Sequence, residues 1–205
     1  MKKMGGATPN ALLGLLSIHP MSGYDVRQLI PRSIGNFWNE SYGQIYPALK
    51  QMSVAGMVSK KTERQKGRPD RHVYSLTEDG RAQLREWLEV PVEHEVRRNE
   101  LLLKVFFGGQ AGPGAIRRHV EASLEKNLAE LKLYTAMEKQ LRKEEAHDPQ
   151  LPYWLMTLNA GRHLSSATVR WCRETLAELD RLDAAVLVKG TAVKKVAGKT
   201  KRRKS

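Results

Sequence analysis

The chain has 205 residues, enough for one large or two small domains, and 40% hydrophobic with 28% charged residues affords an ordinary soluble core. No apolar run reaches the length of a membrane span, the start MKKMGGATPN lacks the apolar stretch of an export signal, and the single Cys172 excludes an internal disulfide framework or a cysteine-rich zinc site. A formal net charge of +13 directs attention to a polyanionic partner, and the whole pattern to the cytoplasm and an association with the nucleoid.

The distribution of that charge is more informative than its total. Residues 1–90 carry 13 basic and 8 acidic side chains, residues 91–188 carry 14 of each, and residues 189–205 carry 8 basic and none acidic. A basic front, a neutral middle and a cationic tail suggest nucleic acid at the front and a protein interface in the middle.

Thr8-Pro9 is a good helix start, with Thr as N-cap and Pro at the first helical position. Leu12, Leu13, Leu15, Leu16 and Ile18 make this first helix apolar nearly all round, so it is expected to be buried, and His19-Pro20 ends it. His19 is read as structural. Ser22 with Asp25 three residues on has the pattern of a capping box for a second helix, which Pro31 stops. Tyr24, near its start, is suited either to packing or to placing a phenol on a phosphate. Ser41 followed by Gln44 marks a third helix, with Ile45, Leu49 and Met52 facing a core. Pro47 is awkward there, because a proline past the first turn loses a backbone bond and clashes with the preceding turn. The helix either starts after Ser41 or is kinked in its first turns. Its N-terminal end, with Ser41, Tyr42, Gln44 and Tyr46, suits a phosphate and base edges, and Lys50 lies one turn on.

After Gly56 come two strand-like pieces, Met57–Arg64 and His72–Leu76. Gln65-Lys66-Gly67-Arg68-Pro69-Asp70 between them has the composition of a hairpin tip. From Lys60 to Arg71 there are six basic and two acidic residues. A charge run is usually a solvated face, but a protruding cationic hairpin that follows a helix is the wing of a winged helix-turn-helix. Arg64, Lys66, Arg68 and Arg71 are therefore the expected backbone contacts. Thr77-Glu78-Asp79 opens a fourth helix with a cap and two carboxylates at its positive end, and Leu84, Trp87 and Leu88 give it an apolar stripe. This closes a domain spanning 8–90.

Leu12–Leu16, Ser22-Gly23-Tyr24-Asp25-Val26, Gly43-Gln44-Ile45-Tyr46-Pro47-Ala48-Leu49, Gly56-Met57-Val58, Gly67-Arg68-Pro69 and Tyr74-Ser75-Leu76-Thr77-Glu78-Asp79-Gly80 stand in this order. Over roughly residues 10–90 the chain resembles the PadR family of transcriptional regulators. The resemblance implies a winged helix-turn-helix, a C-terminal helical dimerisation domain, and repression from a palindromic operator. It also implies release by a small molecule, commonly phenolic or otherwise aromatic. At matching positions it puts Tyr24, Ser41, Tyr42, Gln44 and Tyr46 at or near the DNA, with Lys66, Arg68 and Arg71 in the wing.

Residues 91–96, with Pro91 and alternating acids, read as a linker. Glu95–Phe107 reads as a helix ended by Gly108-Gly109. From Pro113 a long helix carries Ile116, Val120, Leu124, Leu128, Leu131, Tyr134, Met137 and Leu141 at steps of three or four. His147-Asp148-Pro149 breaks it, and a second long helix follows Pro152 with Leu155, Leu158, Leu164, Trp171, Leu179 and Leu182 in register. Two long helices with narrow apolar stripes cannot bury themselves alone, so 95–188 is expected to form an antiparallel pair that packs on a second copy. Aromatics at helical spacing are usually core, yet Phe106, Trp154 and Trp171 are the candidates for a ligand-sensing role. Gly161 marks a close helix approach, and Cys172 a small buried hydrophobe. The tail, 189–205, lacks periodicity and aromatic residues and reads as disordered, adding sequence-blind affinity for DNA.

No HExxH, Cys–His cluster, phosphate loop or nucleophile elbow is present, and Glu93-His94-Glu95 reads as solvated linker, so neither an enzyme nor a cofactor is expected. The fold class is mainly α with a small β-hairpin: an N-terminal winged helix-turn-helix and a C-terminal antiparallel long-helix dimerisation domain. The leading expectation is a homodimeric repressor of double-stranded DNA with a small aromatic effector and no membrane partner. A protein-interaction adaptor on the same fold is the rival.

Overall fold

Helix α1 (Ala7–Ile18) sits at the centre of the N-terminal half because its leucines leave it no polar face, and Leu12, Leu13, Leu15 and Leu16 are all buried. The computed structural model describes residues 7–35, 37–38, 42–64, 70–92 and 98–201. Within that range it divides into two units, Met1–Glu95 and Val96–Ser205. No helix among the described residues is long and apolar enough to cross a membrane.

In the first unit β1 (Met21–Ser22) leads directly into α2 (Gly23–Leu29), and Ile30–Arg32 continue as one 3-10 turn around Pro31. Helix α3 (Tyr42–Val54) follows, then β2 (Val58–Glu63), β3 (Arg71–Leu76) and α4 (Glu78–Glu89). The strands form one antiparallel sheet in the order β1-β3-β2. The sequence reading contained the hairpin but not β1, whose two residues are too few to show any alternation. The core joins α1 to Val26 of α2, to Ile45, Leu49 and Met52 of α3, and to Tyr74 of β3.

Three local devices fix the path of this chain. Ser22 and Asp25 form the expected capping box at the start of α2. Gly56 ends α3 in the left-handed region, φ 76°, where a side chain is disfavoured. Its N–H reaches Ser53 O at 3.2 Å and Met57 N–H reaches Met52 O at 2.9 Å, the paired bonds of a Schellman end. The Thr77 hydroxyl lies 2.7 Å from Gly56 O and 2.8 Å from Met57 O and accepts from Gly80 N–H at 3.1 Å, tying the start of α4 to the end of α3.

The second unit begins with α5 (Glu100–Phe106), shorter than the helix expected from Glu95 because Asn99 takes the N-cap and accepts from Leu102 N–H at 3.1 Å. A 3-10 turn, Gly108–Gln110, precedes the long helices α6 (Pro113–Glu144) and α7 (Leu151–Lys201). The contacts between these two run in opposite order along the chain: Arg117 with Asp180 and Asp183, Glu130 with Ser165, and Glu138 with Arg162. The pair is therefore antiparallel. At Gly161 an added Cβ would lie 2.7 Å from the Tyr134 ring, so the glycine does mark the close approach. Cys172 is fully buried beside Ile116, Val120 and Leu179.

Of the segment 189–205, expected to be disordered, residues 189–201 form helical backbone at the end of α7, and 202–205 lie outside the described residues. Ala192, Val193, Lys194, Lys195, Val196 and Ala197 contain no proline, and the flanking Gly190 and Gly198 each cost only about 1 kcal/mol in a helix. Lack of an apolar stripe removes a packing partner, not the capacity to be helical.

Candidate nucleic-acid interface

Helix α3 divides cleanly by burial. Ile45, Ala48, Leu49 and Met52 face the core, while Gly43, Gln44, Tyr46, Pro47, Lys50, Gln51 and Val54 are exposed. At about 100° per residue these exposed positions make one continuous outer arc. Pro47 lies on that arc, so its ring is kept out of the core and the helix runs from Tyr42 through it.

Two tyrosines flank the arc. Tyr46 is 51% exposed and its ring lies against Gly23, where an added Cβ would meet Cε1 at 2.6 Å. Tyr24, the next residue on α2, is 59% exposed, which favours its reading as a surface phenol over a packed one. Tyr74 is buried in β3; burial, and then the neighbouring Tyr46, raise its pKa.

The wing contributes Lys60 and Lys61 on β2 and Arg64 just past its end, all exposed. Arg71 behaves differently. It opens β3 opposite Glu63, and its Nη2 donates to Asp25 Oδ2 at 2.5 Å. The same carboxylate oxygen accepts from the Ser22 N–H and the Ser22 hydroxyl, each at 2.8 Å. Burial pushes the Asp25 carboxyl up, but the Ser22 N–H, the Arg71 guanidinium and the Ser22 hydroxyl outweigh it and hold its pKa below the ordinary value. The hydrogen bond and charge of Asp25 raise that of Arg71.

Gln44, Tyr46 and Lys50 thus share the arc of α3, with Tyr24 beside it and Arg64 on the wing. Ser41, Lys66, Arg68 and the Tyr42 side chain lie outside the described residues. Sequence reasoning did not single out as site candidates Gly23 and Asp25, which touch the candidates Tyr46 and Arg71, or Lys60 and Lys61, which are exposed on β2. The signal for the lysines was already in the wing's charge count. An acid beside a basic hairpin was the available hint for Asp25.

The three candidate ligand-sensing aromatics are not brought together. Trp171 packs into the cluster around Val120 and Cys172, and Phe106 is 80% exposed at the end of α5, edge-on to Phe107 at 5.0 Å. Trp154 and Trp171 share α7, and 17 positions of helix separate them by about 25 Å, too far to line one small pocket. The cleft between α6 and α7, about 290 Å³, is lined by Glu138, Arg142, Pro152, Leu155, Met156, Asn159 and Arg162 and by none of these aromatics. Among the described residues no group of three His, Cys, Asp or Glu is placed to hold a metal.

A helix presenting a polar arc beside a two-stranded basic hairpin, joined in sequence to long paired helices, defines a winged-helix transcriptional regulator. Residues 12–86 match the Transcriptional regulator PadR-like family and residues 97–180 the Virulence activator alpha C-term family. The chain is 28% identical over 177 residues to the negative transcriptional regulator PadR of Bacillus subtilis, covering 83% of this chain and 96% of the relative. It superposes on the crystal structure of B. subtilis PadR in complex with operator DNA with a TM-score of 0.73 at 26% identity, covering 83% of this chain and 98% of the other. The complex of that protein with p-coumaric acid gives 0.66 at 26%, covering 84% and 98%. The Vibrio cholerae virulence activator AphA gives 0.67 at 27%, covering 86% and 99%. Residues 12–86 thus form a PadR-like family domain, residues 97–180 mark the branch with the longer C-terminal region, and the homologues are transcriptional regulators, not enzymes.

Proposed function

We propose that the chain is a homodimeric repressor whose two wing domains read the half-sites of a palindromic operator, and that a small aromatic acid releases it. The outer arc of α3 carries this reading, with Gln44 and Tyr46 exposed beside a lysine-bearing wing while Ile45, Ala48, Leu49 and Met52 turn inward. Arc residues meet base edges, and wing and tail cations meet phosphates. Leu102, Leu103 and Phe106 of α5 and Phe107 just past its end are about half exposed or more, a surface that suits a second copy. The effector reading leans on B. subtilis PadR having been solved with p-coumaric acid, and not on Phe106, Trp154 and Trp171.

Selection of bound fragments from genomic DNA supplies the half-site, followed by titration across salt. Log affinity is expected to fall with log salt by about 0.9 per phosphate neutralised. Gln44→Ala changes sequence preference, costing about 1–3 kcal/mol on the matched duplex and little on a scrambled one. Lys61→Ala weakens both alike. Equal losses from both variants on both duplexes refute the division of labour, and failure to bind any promoter fragment at low salt favours a protein-interaction adaptor. Addition of p-coumaric acid to the complex tests release, and a reporter downstream of the operator distinguishes repression from activation.

A further inference from the structure

We infer that Arg71 and Asp25 form a positioning pair that fixes the root of the wing to α2, and that Arg71 is not a phosphate contact. The inference deepens the DNA-binding reading and rests on it.

The wing leaves the sheet at Glu63 and Arg71, the last paired residues of β2 and β3. Ser22 pairs with Val73 of β3 through the two-residue strand β1. This ladder, and Tyr74 buried in the core with α1, anchor the base of β3, and both lie on the core side of His72 and Arg71, where the wing begins. The Arg71–Asp25 contact is a second attachment, two residues further along β3, between the same two elements. Asp25 is itself immobilised, since Ser22 donates to its Oδ2 from both the backbone and the hydroxyl. The Arg71–Asp25 contact extends that anchorage from the core-held base of β3 to the root of the wing. The ion pair is exposed enough to add little to stability, so its consequence is geometric.

The same contact removes Arg71 from the pool of cations available to a duplex. The pair as a whole is neutral, and drawing Arg71 over to a phosphate would leave the Asp25 charge uncompensated beside a polyanion. Lys60, Lys61 and Arg64 have no such acid bonded to them among the described contacts.

The test compares Asp25→Asn, Arg71→Gln, Arg71→Lys, the double variant D25N/R71Q and the control Lys61→Gln. Each is titrated across salt, well below its melting midpoint, against the duplex recovered by genomic selection. Asp25→Asn and Arg71→Gln are each expected to weaken binding about tenfold, with the double variant no weaker than either single. The salt slope stays at the wild-type value in Arg71→Gln and in the double variant, whereas Lys61→Gln lowers it by about 0.9. Arg71→Lys, which keeps one donor for Asp25, recovers part of the affinity. Amides of Arg71–Leu76 exchange faster in Asp25→Asn and Arg71→Gln without DNA.

Tighter binding by Asp25→Asn, with a slope loss near 0.9 in Arg71→Gln, overturns the inference and makes Arg71 a phosphate contact. Losses that multiply in the double variant overturn it as well. So does faster exchange with unchanged affinity, which makes the pair merely structural. If the wild-type chain binds no duplex in a salt-dependent way, the DNA reading falls and takes this inference with it. Any of the preceding three results beside normal wild-type binding sinks the inference alone.

Discussion

Tyr46 owes its position to a missing side chain. Its ring occupies the space that a Cβ on Gly23 would fill, with Cε1 at 2.6 Å and Cδ1 at 2.9 Å. The ring is the far end of a flexible side chain, so an alanine at 23 displaces it without breaking the core, which lies on the other face of α3. Alanine also loses less backbone entropy than glycine, by a fraction of the roughly 1 kcal/mol seen in helix interiors, since 23 is the first residue of α2. Gly23→Ala is therefore expected to leave the melting midpoint at or above that of the wild type. It is also expected to weaken the matched duplex several-fold, because Tyr46 leaves the arc beside Gln44. A melt and a duplex titration on the same preparation check both halves, and unchanged duplex affinity would show that the ring makes no contact with DNA.

Helix α4 is held by a comparable economy of space. Gly80 sits so close to the end of α3 that an added Cβ would lie 2.1 Å from Met57 O and 2.8 Å from Leu76 Cδ1. The nearer atom belongs to backbone that Thr77 already bonds, so it cannot yield without loosening that joint. Overpacking of this kind costs about 1–3 kcal/mol, and the helix propensity of alanine returns about 1. Gly80→Ala is expected to lower the melting midpoint of the first unit by several degrees. Gly43→Ala, with nothing within 4 Å of the added atom, leaves it unchanged or higher. These joints also show what a sequence discloses. The Ser22–Asp25 box, the glycine end at Gly56, the Thr77 cap and the 3.6-residue pattern of α6 and α7 are local, and each was legible because the residues that make it are neighbours in the chain. Strand β1 was not legible, because two residues carry no period. The contact between Asp25 and Arg71 joins positions 46 apart, so only the fold reveals that one of the wing's cations is already engaged. The cluster around Trp171 was half legible: spacing marked it as apolar, but not as too far from Trp154 for a shared ligand.

At the scale of the whole molecule the charge is segregated, and the segregation makes a prediction that the individual contacts do not. The segment 189–205 holds 8 basic and no acidic residues, while residues 91–188 are balanced. Helical backbone through Lys201, rising about 1.5 Å per residue, carries Lys189, Lys194, Lys195, Lys199 and Lys201 at about one charge per 4 Å, against one per about 1.7 Å of duplex. Cations so arranged gain affinity by releasing counterions, which is blind to base sequence. A chain ended after Val188 should keep the antiparallel pair of α6 and α7, whose last interhelical ion pair among the described residues is Arg117 with Asp183, and with it the solution mass expected of the full-length assembly. Its affinity for matched and scrambled duplexes is expected to fall by the same factor, and its salt slope by about 0.9 for every phosphate the segment had neutralised. The ratio between the two duplexes stays that of the full chain, because the arc of α3 that sets it is intact. A truncated chain with an unchanged slope would show that these cations meet no DNA, and one with a reduced preference for the matched duplex would show that they help to read sequence.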